Sequence, residues 1–475
     1  MADRPLWTIQ EVLAATGGTL HGTIKVPMNA VSIDSRTLKV GDIFVAIRGD
    51  KMDGHDFVVP ALKSGAGLAV VSRPTPEMLN AGAVLQVSDD PLQGLENMGR
   101  AARAWAQGQI IAITGSVGKT STKEMLRVAL SASGLTHASA ASFNNHWGVP
   151  LTLSRMPRDA AYGVFEIGMN HAGEITPLVK MVRPHIAIVT LVAASHLGNF
   201  ASLDQIAEAK AEIFNGLVLG GTAIINRDSP YFEMLAAAAK KGGAKTIIGF
   251  GHHLDADVRM ERLALHPTCC CVTANLMGEQ VVYKLGVPGE HMALNSLAVL
   301  AAVKAAGADL ARAMLALADA APAKGRGVQE RLIIPGGDLL LIDESYNANP
   351  TSMAAALALL EHAKIGKNGR RIAVLGDMLE LGSFGPDLHA GLAKMVDEHH
   401  IDVIYACGPL MRHLWDSLPR AKQGAYSDSS AALKNQLMAD LRAGDAVMVK
   451  GSLGSKMGLV VDALRQKFTA VIKEN

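Results

Sequence analysis

One stretch constrains this chain more than any other: Gln109-Ile110-Ile111-Ala112-Ile113-Thr114-Gly115-Ser116-Val117-Gly118-Lys119-Thr120. An apolar run of strand character ends in a glycine turn, and a helical pattern carrying Leu126 and Leu130 follows at once. That order gathers free backbone amides and a helix dipole at the carboxyl end of a buried strand, a cradle for phosphate. In it Lys119 would neutralise the β- and γ-phosphates, and the Thr120 hydroxyl would bind Mg²⁺. The loop is the short form, because the commoner spacing wants a glycine where Ile113 stands. A tight turn that happens to end in Gly-Lys-Thr is the plainer reading, and the flanking strand and helix argue against it. The loop alone does not separate kinase, ATPase and ligase.

The surrounding pattern extends this into an α/β chain of three domains. With 475 residues, roughly 150 per domain gives about three. The first part, 1–107, reads as a small α/β domain with strands near Val31–Asp34, Asp42–Ile47 and Leu68–Val71 and a helix over Leu92–Gln107. The second, 108–323, reads as a central phosphate-loop domain on a parallel sheet, with buried strands Val164–Ile167, Ile186–Val192 and Ala223–Ile225 and helices Ser202–Leu217 and Met292–Ala306. Ala321-Pro322-Ala323-Lys324-Gly325 marks the exit. The third, 324–475, alternates strands Leu339–Ile342, Ile372–Leu375, Val403–Tyr405 and Ala446–Val449 with helices Thr351–His362 and Pro386–His399, a Rossmann-like arrangement.

Charge narrows the partners. Lys and Arg total 45 against 44 Asp and Glu, so no global field favours nucleic acid or an anionic membrane. Cys269, Cys270, Cys271 and Cys407 fit neither a disulfide framework nor a zinc site and read as buried thiols in a reducing compartment. No secretory leader and no apolar run of ~18–20 residues is visible, which gives a cytoplasmic protein without a membrane span.

Three polar residues stand out against apolar surroundings. On a helical wheel Lys210 falls inside the arc of Ile206, Ile213, Phe214 and Leu217, while Glu208 and Glu212 point away. A lysine there is paired, modified, or snorkels its ammonium to water. Glu166 sits in the run Val164–Ile167 and His196 follows another strand, where the ligand crevice of an α/β sheet lies. Either could join Thr120 in a Mg²⁺ site, and either alone could equally be a satisfied structural residue. Asp343, Asp377 and Lys450 repeat the theme in the third domain.

Over nearly its whole length the chain resembles the Mur ligase family, and within it the MurF-type branch that adds D-alanyl-D-alanine to a UDP-N-acetylmuramoyl-tripeptide in peptidoglycan synthesis. The resemblance rests on Asp34-Ser35-Arg36 and Asp53-Gly54-His55-Asp56-Phe57, on the loop Thr114–Thr120, and on Glu166–His171. It rests further on His196-Leu197, Ala209-Lys210, His291–Asn295, Gly325-Arg326, Asp343–Pro350 and Leu375–Gly382. It implies Ser35 and Arg36 near the UDP, with Asn144 and Asn145 on the substrate side. It implies ATP held by Thr114, Gly115, Ser116, Val117, Gly118, Lys119, Thr120, Asn295, Arg326 and Asp343. Two Mg²⁺ ions would be held by Thr120, Glu166, His196 and Lys210, the last as a carbamate formed with CO₂. Lys119, Lys210, His196 and Glu166 would then be the catalytic residues. Gly198 and Met169 depart from the family pattern, standing where an acidic and a smaller residue are common.

The implied reaction is ATP-driven: an acyl phosphate forms on the tripeptide carboxylate and the amine of D-alanyl-D-alanine displaces phosphate. An acyl phosphate must be kept from water. The third domain is therefore expected to close over the second about Pro322–Arg326, in a chain acting as a monomer. The rival readings are another amino-acid-adding Mur enzyme, a folylpolyglutamate synthetase and, in a different class, a phosphate-loop phosphotransferase.

Overall fold

The computed structural model describes residues 4–88, 90–140 and 142–470. Three sheets follow one another along the chain. The first has five strands, with Ala30–Ser32, Asp42–Val45, Leu68–Val71 and Val84–Gln86 parallel and Thr19–His21 antiparallel at its edge. The second has nine, and the third has seven around the parallel strands Gly337–Glu344, Arg371–Gly376, Val403–Cys407 and Ala446–Lys450. No helix among the described residues is long and apolar enough to cross a membrane.

The second sheet positions the phosphate loop. Strand Gln109–Thr114 lies between Tyr162–Glu166 and Ile186–Val189, parallel to both. Neighbouring strands lead away on either side, so its carboxyl end is a topological switch point. The register sets Ile113 beside Glu166 and Thr114 beside Val189. A carboxylate is thereby fixed one strand away from the glycine turn. The strands Gln109–Thr114 and Ile186–Val189 are buried almost throughout, between apolar layers on both faces.

Three local expectations are corrected. The helix over Ser202–Leu217 is α-helical only across Leu203–Ala211 and tightens into a 3₁₀ turn at Glu212–Gly216. There the Glu212 carboxylate accepts from Gly173 N (2.6 Å) and Thr176 N (2.9 Å), and Gly216 lies against the Val179 carbonyl. The helix over Pro386–His399 is divided at Gly391 into Gly385–Ala390 and Leu392–Glu398. An antiparallel ladder, Val258–Leu265, Cys270–Leu276 and Glu279–Leu285, was not anticipated. Its alternation buries Cys270 but leaves Cys271 exposed, so the thiols are not uniformly interior.

The first and second sheets are joined through arginine and tryptophan donors. Arg103 donates to Val182 O and Arg183 O, both at 2.7 Å, and Trp7 Nε1 to Ser154 O at 2.8 Å. Arg155 donates to Val31 O, and Arg158 lies 3.5 Å over the Trp105 ring. Between the second and third sheets lies a cleft instead.

Candidate active site

The phosphate loop is pinned to the strand beside it. Ser116 N donates to Leu191 O (2.7 Å), Ser116 Oγ to Ala193 O (2.8 Å), and Thr190 Oγ1 to Val117 O (2.6 Å). Two glycines are needed for conformation. Gly115 has φ +151° and Gly118 φ +90°, and a Cβ on either would strike Thr190 Oγ1 or the Asn295 amide. Asn295 thus packs directly against the loop. Helix Lys119–Ser131 then starts with no side-chain cap, leaving its first amides to the cleft.

Beneath the loop, Glu166 is 1% exposed and fully engaged. Thr120 Oγ1 donates to its Oε2 (2.9 Å) and Asn144 Nδ2 to its Oε1 (2.7 Å). Lys119 Nζ reaches back to Gly115 O at 2.6 Å. Burial pushes the Lys119 ammonium below the ordinary lysine range, Arg326 adds to that, and Glu166 opposes it. Lys210, 1% exposed, faces the same region and makes no hydrogen bond or ion pair among the described residues. Burial first, and then the Lys119 charge, lower it far below a normal lysine.

A cleft of roughly 720 Å³ gathers most of the anticipated residues. Ser116 to Thr120, Asn144, Asn145, Glu166 and His196 line one wall, with Arg326, Glu344, Tyr346 and Lys450 opposite. A neighbouring pocket of about 590 Å³ reaches from Arg326 to Asp343, joined by Thr120. Arg326 stacks 4.4 Å from the Tyr346 ring centroid. Asp343 is held by Ser345 Oγ (2.6 Å) and Arg465 (3.2 Å). Asn145 faces the cleft, with its Oδ1 accepting from Gly148 N (2.9 Å) at the start of helix Gly148–Ser154. Ser35 and Arg36 are not brought into this cleft; Arg36 grips Asp34 at the surface (2.7 Å). Asp377 lies apart too, accepting from Met411 N at 2.8 Å.

Lys450, marked in the sequence at a strand end, lines the cleft, whereas Glu344, Arg100 and Glu380 were not anticipated there. Lys450, 2% exposed, bonds Glu344 (3.1 Å) and Asn347 O (3.0 Å). Glu344 could have been suspected, since it directly follows Asp343 at a strand end. Arg100, from the first domain, carries no such signal: on its helix it reads as any solvated residue, and only the packing of domains brings it here. Glu380 arrives from the third domain to accept from His196 Nδ1.

The donors suit a hard cation shared with phosphate oxygens. Glu166 and Thr120 supply oxygens, and Thr114 Oγ1 and Ser195 Oγ are buried without a partner. No group of three or more His, Cys, Asp or Glu side chains converges among the described residues. One carboxylate with a neighbouring hydroxyl suits Mg²⁺, which takes one or two protein carboxylates and completes its shell with water and phosphate. Two cations, Lys119 and Arg326, stand with the buried carboxylate of Glu166, a field that calls for a polyanion.

Comparison with known proteins identifies the family. Residues 27–104 match the pattern described as "Mur ligase family, catalytic domain", 113–303 the "Mur ligase middle domain", and 331–453 the "Mur ligase, glutamate ligase domain". The UDP-N-acetylmuramoyl-tripeptide–D-alanyl-D-alanine ligase of Rickettsia prowazekii is 31% identical over 96% of this chain and 99% of its own. That of Escherichia coli is 32% identical over 97% and 99%. The crystal structure of MurF from Acinetobacter baumannii superposes with a TM-score of 0.83 at 31% identity, covering 97% of this chain and 99% of that one. The chain therefore belongs to the Mur ligase family.

Proposed function

We propose that this chain is an ATP-dependent ligase joining the amine of D-alanyl-D-alanine to the terminal carboxylate of a UDP-N-acetylmuramoyl-tripeptide, in peptidoglycan synthesis. Relatives of that activity align with it almost end to end. The observation that carries the reading is the cleft itself. A phosphate loop and a buried carboxylate form one wall, and the Arg326 and Lys450 cations of another domain the facing one.

The peptide carboxylate attacks the γ-phosphorus of ATP, its bond to the β-bridging oxygen breaks, and acyl phosphate and ADP result. The amine then adds to the acyl carbon, loses its proton, and inorganic phosphate departs. Lys119 and the amides of Gly115 to Thr120 hold the phosphates and offset the charge growing on the transferred group. Thr120, Glu166 and His196 would hold Mg²⁺, which supplies charge neutralisation at the phosphoryl oxygens. Asn144 keeps the Glu166 carboxylate aimed. Asn295, Arg326 and Asp343 are placed to contact the nucleoside side of ATP, and Ser35 and Arg36 the UDP.

Lys210 has the properties of an amine that takes up CO₂: it is buried, without a partner among the described residues, and its burial disfavours the ammonium form. Its nitrogen bonds the carbon, a proton is released, and the resulting anion would complete a second Mg²⁺ site among the cations. The domains divide at 107/108 and 323/324, and the third closes over the second through Pro322–Arg326, where Gly325 takes positive φ (72°), as does Gly327 directly after it (95°). Both walls of the cleft come from one chain, which supports the reading of a monomer, and nucleotide substrates fit work in the cytoplasm.

Phosphate release measured across UDP-muramoyl peptides, each with and without D-alanyl-D-alanine, tests this reading. Release that depends on both tripeptide and dipeptide is expected. Phosphorylated product accumulating without amine would instead indicate a phosphotransferase.

A further inference from the structure

His196 and Glu380 meet across the cleft, 184 positions apart, with His196 Nδ1 at 2.5 Å from Glu380 Oε2. Both backbones are left-handed, φ +57° and +64°, although neither residue is glycine. Such conformations cost energy and persist where their surroundings enforce them. The Glu380 segment is anchored from below. Met378 N donates to Nε2 of the buried His389 (3.0 Å), and Leu379 N to Ser452 Oγ (2.9 Å).

The two loops also touch through backbone. Gly198 N donates to Glu380 O at 2.9 Å, and a Cβ on Gly198 would stand 3.1 Å from Gly382 N. The absence of a side chain at 198 eases this close approach. An imidazole whose Nδ1–H is given to a carboxylate presents an unprotonated Nε2, and partners of this kind orient metal-binding histidines.

We propose that Glu380 is a positioning residue for His196: reaching over from the third domain, it fixes the imidazole tautomer and orientation, so the metal side of the site is finished only when the two domains meet. This rests on the reading of His196 as a magnesium-side residue.

Two measurements on the full-length protein test it, and neither depends on turnover. The first uses ¹⁵N-histidine-labelled protein without nucleotide or metal. Long-range ¹H–¹⁵N spectra, with His196→Gln identifying the signal, are expected to show the Nδ1–H tautomer. Glu380→Ala should move it toward Nε2–H, whereas Glu380→Gln, whose amide oxygen still accepts, should keep it. The second is Mn²⁺ affinity in the presence of a non-hydrolysable ATP analogue, read by water-proton relaxation. Glu380→Ala should weaken it about 10-fold or more, and Glu380→Gln far less. Glu380 is more than half exposed, so these changes remove little packing. An unchanged tautomer in Glu380→Ala, or unchanged Mn²⁺ affinity, overturns the proposal. Failure of the ligase reading shows separately, as absence of amine-dependent phosphate release in the unaltered protein.

Discussion

Thr120 and Glu166 are bonded through side chains, Oγ1 to Oε2 at 2.9 Å, across the gap between a helix start and the end of an adjacent strand. With Asn144 on the other oxygen, the carboxylate is immobilised before any phosphate binds. Its alanine variant leaves the hydroxyl and amide without a partner and removes the one negative charge facing Lys119. Glu166→Ala is expected to lower kcat by about 100-fold or more and to raise the Mg²⁺ concentration for half-maximal rate. Steady-state phosphate release against Mg²⁺ measures both. An unaltered magnesium requirement would remove Glu166 from the metal site.

Lys210 sets stability against function. A buried amine without a partner is costly, and an apolar side chain of similar length fills the same space. Lys210→Met is expected to raise stability by about 1 kcal/mol in denaturant titration while abolishing ligation. Lys210→Ala should be inactive as well, and partly rescued by added short carboxylates that occupy the place of a carbamate. With ¹³CO₂, a carbamate carbon resonance is expected in the unaltered protein and absent from Lys210→Met. Full activity in the alanine variant would discard the carbamate.

What could be read from sequence was what local rules decide. The strand–loop–helix around Gly115 came through because glycines, a lysine and an apolar strand each need that backbone, and the structure differs by a residue at most. Lys210 was legible as inward because period 3.6 exposes a polar residue on an apolar arc, even though the helix ends at Ala211. The ladder at Val258–Leu285 was passed over, although its alternation is visible: Val281 and Tyr283 are buried and Val282 is exposed between them. A different reason hid Glu380 and Arg100. Their roles come from docking between domains, and no spacing along the chain encodes a partner 184 residues away.

Arg103 shows how the first two domains are coupled. Its guanidinium is 6% exposed and satisfies Val182 O and Arg183 O, so truncation strands two carbonyls at the junction. Arg103→Ala is expected to cost about 1–3 kcal/mol. In calorimetry the first and second domains should melt together and shift down, while a transition of the third domain stays in place. A shift of every transition by the same amount would contradict this division.

Asp53 ties the motif Asp53–Phe57 to acid stability. His55 N donates to Oδ1 at 3.0 Å, the ring Nδ1 of His55 lies 2.6 Å from the same oxygen, and Arg73 bonds Oδ2 at 2.6 Å. The backbone hydrogen bond from His55 leads in lowering the carboxyl to about 2, partial burial opposes it, and the His55 ring and Arg73 assist. A carboxyl held below its unfolded value stabilises the fold above roughly pH 4, and that contribution drains away as pH falls toward about 2. Asp53→Asn removes the charge and keeps an acceptor. Its denaturant midpoint should therefore lie below that of the unaltered protein at about pH 5 and 6, and the gap should narrow steadily at more acid pH. A gap as wide at pH 3 as at pH 6 would mean that Asp53 acts through shape and not charge.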